Sequence, residues 1–295
     1  MIQIGKLRKD ERKRLAVLHV DDMLANFSEE IEQAINYSKI YTRETLFHDI
    51  DEKFEERWNT KVYVTDNDTV TELFAEPESE KVAVLNFASY KHPGGMYYEG
   101  SSAQEEFLCH HSILYPVLET FQAAYYAPHM KTLNRAMYTD TGIYSSEVMF
   151  FDYDLFENGQ LKGYYKTNNA RNADVITCAA PNVGAFMKYQ RDRMNISDEE
   201  VSTMIHYTIY NRCEFVLEMA RVNGATNLIL GAFGCGVFGC DSTEVAKVFA
   251  TLIYGKYKGV FKDIRFAVPK GPNNEAFFKN ISKPLNIKIL EETHK

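Results

Sequence analysis

The chain has 295 residues, 45% of them hydrophobic, and a formal net charge of −8. That is enough apolar material for one large core, and no apolar run reaches the length of a membrane span. The acidic balance argues against a broad nucleic-acid surface, because non-specific affinity for a phosphate backbone comes from Lys and Arg.

Residues 1–55 are charged and helix-prone, with no glycine beyond Gly5, and are expected to form a helical extension packed on a catalytic domain spanning 56–295. The basic stretch Lys6, Arg8, Lys9, Arg12, Lys13 and Arg14 has no long apolar segment behind it, so secretion is not indicated. The five cysteines, Cys109, Cys178, Cys213, Cys235 and Cys240, are odd in number and sit mostly in apolar runs. This suits reduced thiols in a cytoplasm, and the spacing of Cys235 and Cys240, with no second ligand pair, gives no zinc site.

Strand-like runs are expected at 61–65, 81–87, 148–151, 174–179, 227–232 and 264–268, with helical stretches between several of them, which points to an alternating α/β architecture. The run Val82-Ala83-Val84-Leu85 reads as a strand buried on both faces and places Asn86 at its carboxyl end, where open α/β sheets bind ligands. The segment from Asn86 to Phe107, NFASYKHPGGMYYEGSSAQEEF, then turns through Pro93, Gly94 and Gly95 and closes on Gln104, Glu105 and Glu106. These three open a helix expected to run through Phe107, Leu108, Ile113 and Leu114, with both glutamates facing the crevice. Taken singly, a Gly-Gly is a turn and acidic residues in a first helical turn are ordinary. The order of parts within one connection is what singles them out.

The neighbouring His110 and His111 point in different directions on a helix and read as packing residues. The pairs Tyr97-Tyr98, Tyr125-Tyr126 and Tyr164-Tyr165 could stack on an adenine but read mainly as packing, and Arg191, Asp192 and Arg193 as a solvated face. The clearest helix spans Asp198 to Val222, where Ser197 and Glu200 form a capping-box pattern and Gly224 suits the exit. After the apolar run Leu228-Ile229-Leu230, the glycines Gly231, Gly234, Gly236 and Gly239 form a loop before a helix capped by Asp241 or Ser242, with Gly255 beyond its end. Gly234-x-Gly236-x-x-Gly239 has the spacing of a dinucleotide fingerprint without its full context, and a tight turn packing the helix on the sheet would read the same way.

Taken together, these residues resemble the microbial-type poly(ADP-ribose) glycohydrolases. The family signature GGG-x(6-8)-QEE appears here as Gly94-Gly95-Met96, seven residues, then Gln104-Glu105-Glu106. The likeness extends to Tyr138-Thr139-Asp140, to Ala180-Pro181-Asn182 and to LILGAFGCGVFG from Leu228 to Gly239, about two thirds of the chain in all. One departure is Met96, where the family has a third glycine.

The resemblance implies a macrodomain-like three-layer α/β/α fold with a mixed central sheet. It implies cleavage of the ribose–ribose O-glycosidic bond of ADP-ribose polymers on modified proteins, with no metal or other cofactor. Glu106 would be the catalytic acid/base and Glu105 would position the ribose. Asn86 would bind the distal ribose, Gly94 and Gly95 would shape the loop, and Gln104 belongs to the same binding segment. The loop Gly234, Cys235, Gly236, Val237, Phe238 and Gly239 would wrap the diphosphate, a macrodomain rather than a Rossmann role, with Phe238 fixing the terminal ribose. Removal of single ADP-ribosyl units, or ADP-ribose binding without catalysis, remain as alternatives.

Overall fold

The computed structural model describes residues 4–48, 54–152, 156–157, 160–161 and 169–281. Its strands are β1 (Lys39–Thr42), β2 (Lys61–Thr65), β3 (Val82–Phe87), β4 (Thr141–Phe151), β5 (Phe156–Glu157), β6 (Gln160–Leu161), β7 (Ala170–Cys178), β8 (Asn227–Leu230) and β9 (Asp263–Ala267). The helices are α1 (Lys9–Asn26), α2 (Ser28–Asn36), α3 (Arg43–Leu46), α4 (Thr69–Ala75), α5 (Gln104–His110), α6 (Leu114–Glu119), α7 (Ala127–Lys131), α8 (Val183–Tyr189), α9 (Asp198–Val222), α10 (Ser242–Tyr254) and α11 (Pro272–Ile281).

Seven strands form one mixed sheet in the order β1-β4-β7-β3-β8-β9-β2. β7, β3, β8, β9 and β2 are mutually parallel, whereas β4 runs antiparallel to β7 and β1 antiparallel to β4. Strand alternation sends Val82 and Val84 to one face, where they pack with Leu15 and Met23 of α1, Leu73 of α4 and Leu108 of α5. Ala83 and Leu85 go to the other face, against Phe215 and Leu217 of α9 and Phe249 and Ile253 of α10. Two apolar layers around one sheet make the expected three-layer architecture.

Local chemistry sets the helix limits as anticipated. Ser197 and Glu200 close a capping box on α9, the Asp241 side chain accepts from the Glu244 amide at 2.8 Å to start α10, and Gly255 ends it.

Three expectations change. The helical character of residues 1–55 is found in α1 and α2, but Lys39–Thr42 is an edge strand paired in register with Thr141–Tyr144. The helix opened by Gln104 stops at His110, because Ser112 bridges to Phe150 and the Ile113 amide bonds Met149 O at 3.1 Å, tying the chain to β4. The strand anticipated at 148–151 is the end of the longer β4, which a bulge between Ser145 and Val148 interrupts, with Glu147 at φ +57°. Among the described residues, no helix is long and apolar enough to cross a membrane.

One buried cation ties the start of β4 to the end of β7. Arg212 of α9 is 1% exposed. Its Nε donates to Asp140 Oδ1 at 2.7 Å, Nη2 donates to Met137 O at 3.2 Å, and Nη1 donates to Ala179 O. Replacing it by an apolar side chain takes the guanidinium donors from the Met137 and Ala179 carbonyls and leaves Asp140 with Arg43 alone as its cationic partner. We expect Arg212→Met to lower unfolding free energy by about 3–5 kcal/mol in urea titrations, and a loss below about 1 kcal/mol would show that the network carries no such weight.

Candidate active site

β3 delivers Asn86, wholly buried, to the carboxyl end of the sheet. Its Nδ2 donates to Thr177 Oγ1 of β7 and to Glu105 Oε1, each at 3.3 Å. Its Oδ1 is buried with no protein partner among the described residues.

The two glutamates follow on α5, 3% and 5% exposed. Glu105 Oε2 accepts from the Ser89 amide at 2.6 Å, and Glu106 Oε1 accepts from the Met96 amide at 2.8 Å. Glu106 Oε2 is buried with no protein partner among the described residues. Burial pushes the Glu105 carboxyl well above its ordinary value, and the neighbouring Glu106 charge adds to that, while the Ser89 amide and Asn86 pull the other way.

The glycine turn serves these carboxylates directly. Gly94 and Gly95 adopt φ of +63° and +64°, and a Cβ on Gly95 would lie 2.5 Å from Glu106 Oε1 and 2.9 Å from Glu105 Oε2. Only a residue without a side chain lets the loop close on the acids. Met96 keeps a negative φ, so the third position does not require glycine, and its side chain is 48% exposed at the cavity rim.

Helix α1 backs the same loop: Arg12 Nε donates to Gly100 O at 2.7 Å, and the buried Tyr97 hydroxyl lies 3.4 Å from His19 Nδ1. The Gln104 side chain acts as a clamp. Its Oε1 accepts from the Phe87 amide at 2.9 Å and its Nε2 donates to Leu85 O at 2.8 Å, fixing α5 to the end of β3.

The second glycine loop, between β8 and α10, is pinned where Gly234 (φ +75°) passes Ala180 and Cys240, and where the Gly184 amide donates to Phe238 O at 2.9 Å. Within it, the amides of Cys235, Gly239 and Cys240 are used on Ala232, Gly236 and Gly234 carbonyls. Those of Gly236, Val237 and Phe238 make no hydrogen bond within the described residues. Val237 is 90% exposed and a Cβ on Gly236 would meet nothing, so this part of the loop is open.

A cavity of 740 Å³ runs between the two loops. Gly95, Gln104, Glu105, Glu106, Gly234, Gly236, Val237 and Phe238 line it, as sequence reasoning grouped them. Asn86 lies beneath it, Gly94 packs against Tyr115, and Cys235 and Gly239 act as loop supports rather than lining residues. Ser89, Tyr90 and Phe107, within the singled-out segment 86–107 but given no role there, also line it, as does Val268 at the end of the strand run 264–268. Tyr97, Tyr98, Tyr125 and Tyr126 line other parts of the molecule, and Tyr164 and Tyr165 lie outside the described residues. His110 and His111 are buried packing residues, held neutral by burial. Among the described residues, no group of three or more His, Cys, Asp or Glu is placed to hold a metal.

An α/β sheet whose carboxyl end holds a buried carboxylate pair beneath one glycine turn, opposite a glycine loop with open amides, is a cleft that sets acids against backbone donors and is built to take a small polar ligand. Comparison narrows the possibilities. The model for the microbial-type PARG catalytic domain matches residues 13–152. Poly(ADP-ribose) glycohydrolase from Thermomonospora curvata bound to the inhibitor ADP-HPD is 30% identical over 92% of this chain and 99% of that one, with a TM-score of 0.73. The enzyme from Deinococcus radiodurans in complex with ADP-ribose is 32% identical over 85% and 96%, with a TM-score of 0.71. No curated protein sequence gave a match. The chain belongs to the microbial-type poly(ADP-ribose) glycohydrolase family.

The raised Glu105 carboxyl has a measurable consequence. Between 4.5 and its raised value the folded protein keeps a proton that the unfolded chain has released, so Glu105 makes stability fall as pH rises through that window. In Glu105→Gln this slope is gone. The melting temperature of the variant relative to the wild type should therefore climb as pH rises above 4.5, and a pH-independent difference would contradict the buried-acid assignment.

Proposed function

We propose that the protein is a poly(ADP-ribose) glycohydrolase that hydrolyses the ribose–ribose O-glycosidic bond of ADP-ribose polymers on modified proteins and releases ADP-ribose. The observation that carries this reading is Glu106: one carboxylate oxygen is fixed by the Met96 amide while the other is buried, without a partner among the described residues, and beside a cavity of nucleotide size. Buried polar groups need partners, and here a substrate oxygen supplies one.

In this reading the diphosphate lies along the amides of Gly236, Val237 and Phe238. Asn86 Oδ1 accepts from a distal ribose hydroxyl. Glu105, held by Ser89 and Asn86, positions that ribose, and Phe238 packs on it. Glu106 gives its proton to the leaving oxygen as the anomeric C–O bond breaks through an oxocarbenium-like transition state. It then takes a proton from the attacking water, which leaves a hydroxyl on the anomeric carbon.

In residues 1–55, read as an extension of the catalytic domain 56–295, α1 supports the catalytic loop through Arg12 and His19 while β1 joins the central sheet. The five cysteines, all free, suit a reducing cytoplasm. Met96 does not weaken the enzymatic reading, because its amide makes the contact that matters and its side chain stays at the rim.

The test is to incubate the wild type and Glu106→Gln with poly(ADP-ribose), resolve products by chromatography, and titrate ADP-ribose by calorimetry. Glu106→Gln should lose about 10²–10⁴ in turnover and still bind ADP-ribose. Binding by both proteins with release by neither would overturn polymer cleavage in favour of a reader or a hydrolase of another ADP-ribosyl linkage. Gly95→Ala, whose methyl group displaces Glu106, should cost about 100-fold in kcat, and near-normal turnover would show that the loop is free to move aside.

A further inference from the structure

A second cavity, of 640 Å³, opens beside the first. The sheet register shows how close the two are. Phe87 at the end of β3 pairs with Cys178 of β7, Cys178 pairs with Gly142 of β4, and the adjacent Thr141 pairs with Thr42 of β1. These residues form one row across the carboxyl end of the sheet. The first cavity touches this row at Phe87 and the second at Thr141 and Thr42. The two lie about two strand spacings, ~10 Å, apart.

The partition between them is aromatic. Tyr90, from the first cavity, stacks on Tyr138, from the second, with ring centroids 3.8 Å apart, and Tyr138 meets Phe238 edge-on at 6.0 Å. Tyr138 is held there at a backbone cost. Asn134, Arg135, Ala136 and Tyr138 all adopt positive φ, a conformation that non-glycine residues rarely take and that persists only where the surroundings enforce it. Here Asn134 Nδ2 donates to Tyr138 O at 3.0 Å and the Asn182 amide donates to Ala136 O at 2.9 Å.

The second cavity is polar and its lining charges balance, with Arg43 and Arg212 set against Asp140 and the exposed Glu44. Arg43 is paired with Asp140 at 3.3 Å and Glu214 at 2.6 Å, and Arg212 with Asp140 at 2.7 Å. His129 is 4% exposed. Its Nε2 lies 3.2 Å from Thr139 Oγ1 and its Nδ1 is buried with no protein partner among the described residues. Burial and the nearby Arg212 push this imidazole down to about 4, so it is neutral near pH 7. An uncharged, hydroxyl-rich aromatic ligand fits such a surface, and a diphosphate does not. In a ribose–ribose linked polymer, the group just beyond the scissile bond is the adenosine of the neighbouring unit.

We propose that the second cavity is the subsite for that adenosine, so that the enzyme grips the polymer on both sides of the bond it cleaves, with the Tyr90–Tyr138 stack as the ridge between. This rests on the glycohydrolase reading above. His129 Nδ1 is the specificity contact, meeting the adenosine, and the other lining hydroxyls and amides face its sugar.

The test compares two substrates carrying the same scissile bond type, an ADP-ribose dimer and 1″-O-methyl ADP-ribose, which has no adenosine beyond the bond. Two variants address the cavity: His129→Phe removes the contact, and Asn211→Trp fills the space from the surface of α9. In each, kcat/KM on the dimer should fall about tenfold or more while that on the methyl glycoside and the calorimetric affinity for ADP-ribose stay within about twofold. Added free adenosine should inhibit cleavage of the dimer alone. Equal losses on both substrates, no loss on either, or inhibition of both by adenosine would overturn the subsite, the last indicating a separate effector site. A wild type that binds ADP-ribose but cleaves neither substrate would instead sink the glycohydrolase reading itself.

Discussion

Two adjacent carboxyl groups cannot both be kept from water without donors to hold them, and the amides of Ser89 and Met96 are those donors. Much of the surrounding structure follows from placing those two N–H groups. The Met96 amide reaches Glu106 only because Gly95 has no side chain where the carboxylates stand, and because its positive φ turns the chain over them. The Ser89 amide reaches Glu105 only because Gln104 ties α5 to the backbone of β3, which fixes the distance from strand end to helix start. The loop that results is long and short of secondary structure, so it needs an external brace. Arg12 and His19 of α1 supply it through Gly100 and Tyr97. The amino-terminal helix is thus part of the apparatus that positions the acids.

The sheet contributes a flat end from which several strands present residues to one crevice. Parallel pairing of β7, β3 and β8 aligns Thr177, Asn86 and the start of the second glycine loop. The antiparallel pair β4 and β1 extends that end sideways, at the expense of bringing the loop 134–140 over it in a strained path. Arg212 compensates by taking two carbonyls and Asp140 in one guanidinium, a planar fork with several donors that lysine could not reproduce.

Much of this was legible in the residues because local rules and tertiary demands agreed. β2 fell where its short apolar pattern indicated, and α9 and α10 began and ended at their capping residues. The Gly94-Gly95 and Glu105-Glu106 elements were found through their order along the chain. What stayed hidden depended on partners distant in sequence. Lys39-Ile40-Tyr41-Thr42 is too short to show a period and becomes a strand only by pairing with β4. The break after His110 comes from bonds to Met149 and Phe150, and the first half of β4 is masked by a bulge that shifts the alternation at Glu147. The helical content of Gln104's segment could be read, but not that its amide is spent on Phe87 and Leu85. Likewise Cys235 and Gly239 share a motif with Gly236, but only the folded loop distinguishes amides already used from amides left over.

On the proposed reading, a net charge of −8 and a diphosphate ligand look opposed, and the open amides of the second glycine loop would reconcile them. Among the described residues, no Lys or Arg lines the main cavity, which holds Asp68, Glu105 and Glu106. A guanidinium or ammonium placed there would pair with Glu105 or Glu106 and perturb the proton that the reaction needs. Backbone N–H groups carry only partial charge and are fixed by the turn, so Gly236, Val237 and Phe238 can hold phosphate oxygens without neutralising the acids across the cavity. A site without cations would preserve the chemistry of the carboxylate pair, and the left-handed turns at Gly234 and Gly239, open to glycine without strain, are what presenting bare amides requires of the backbone.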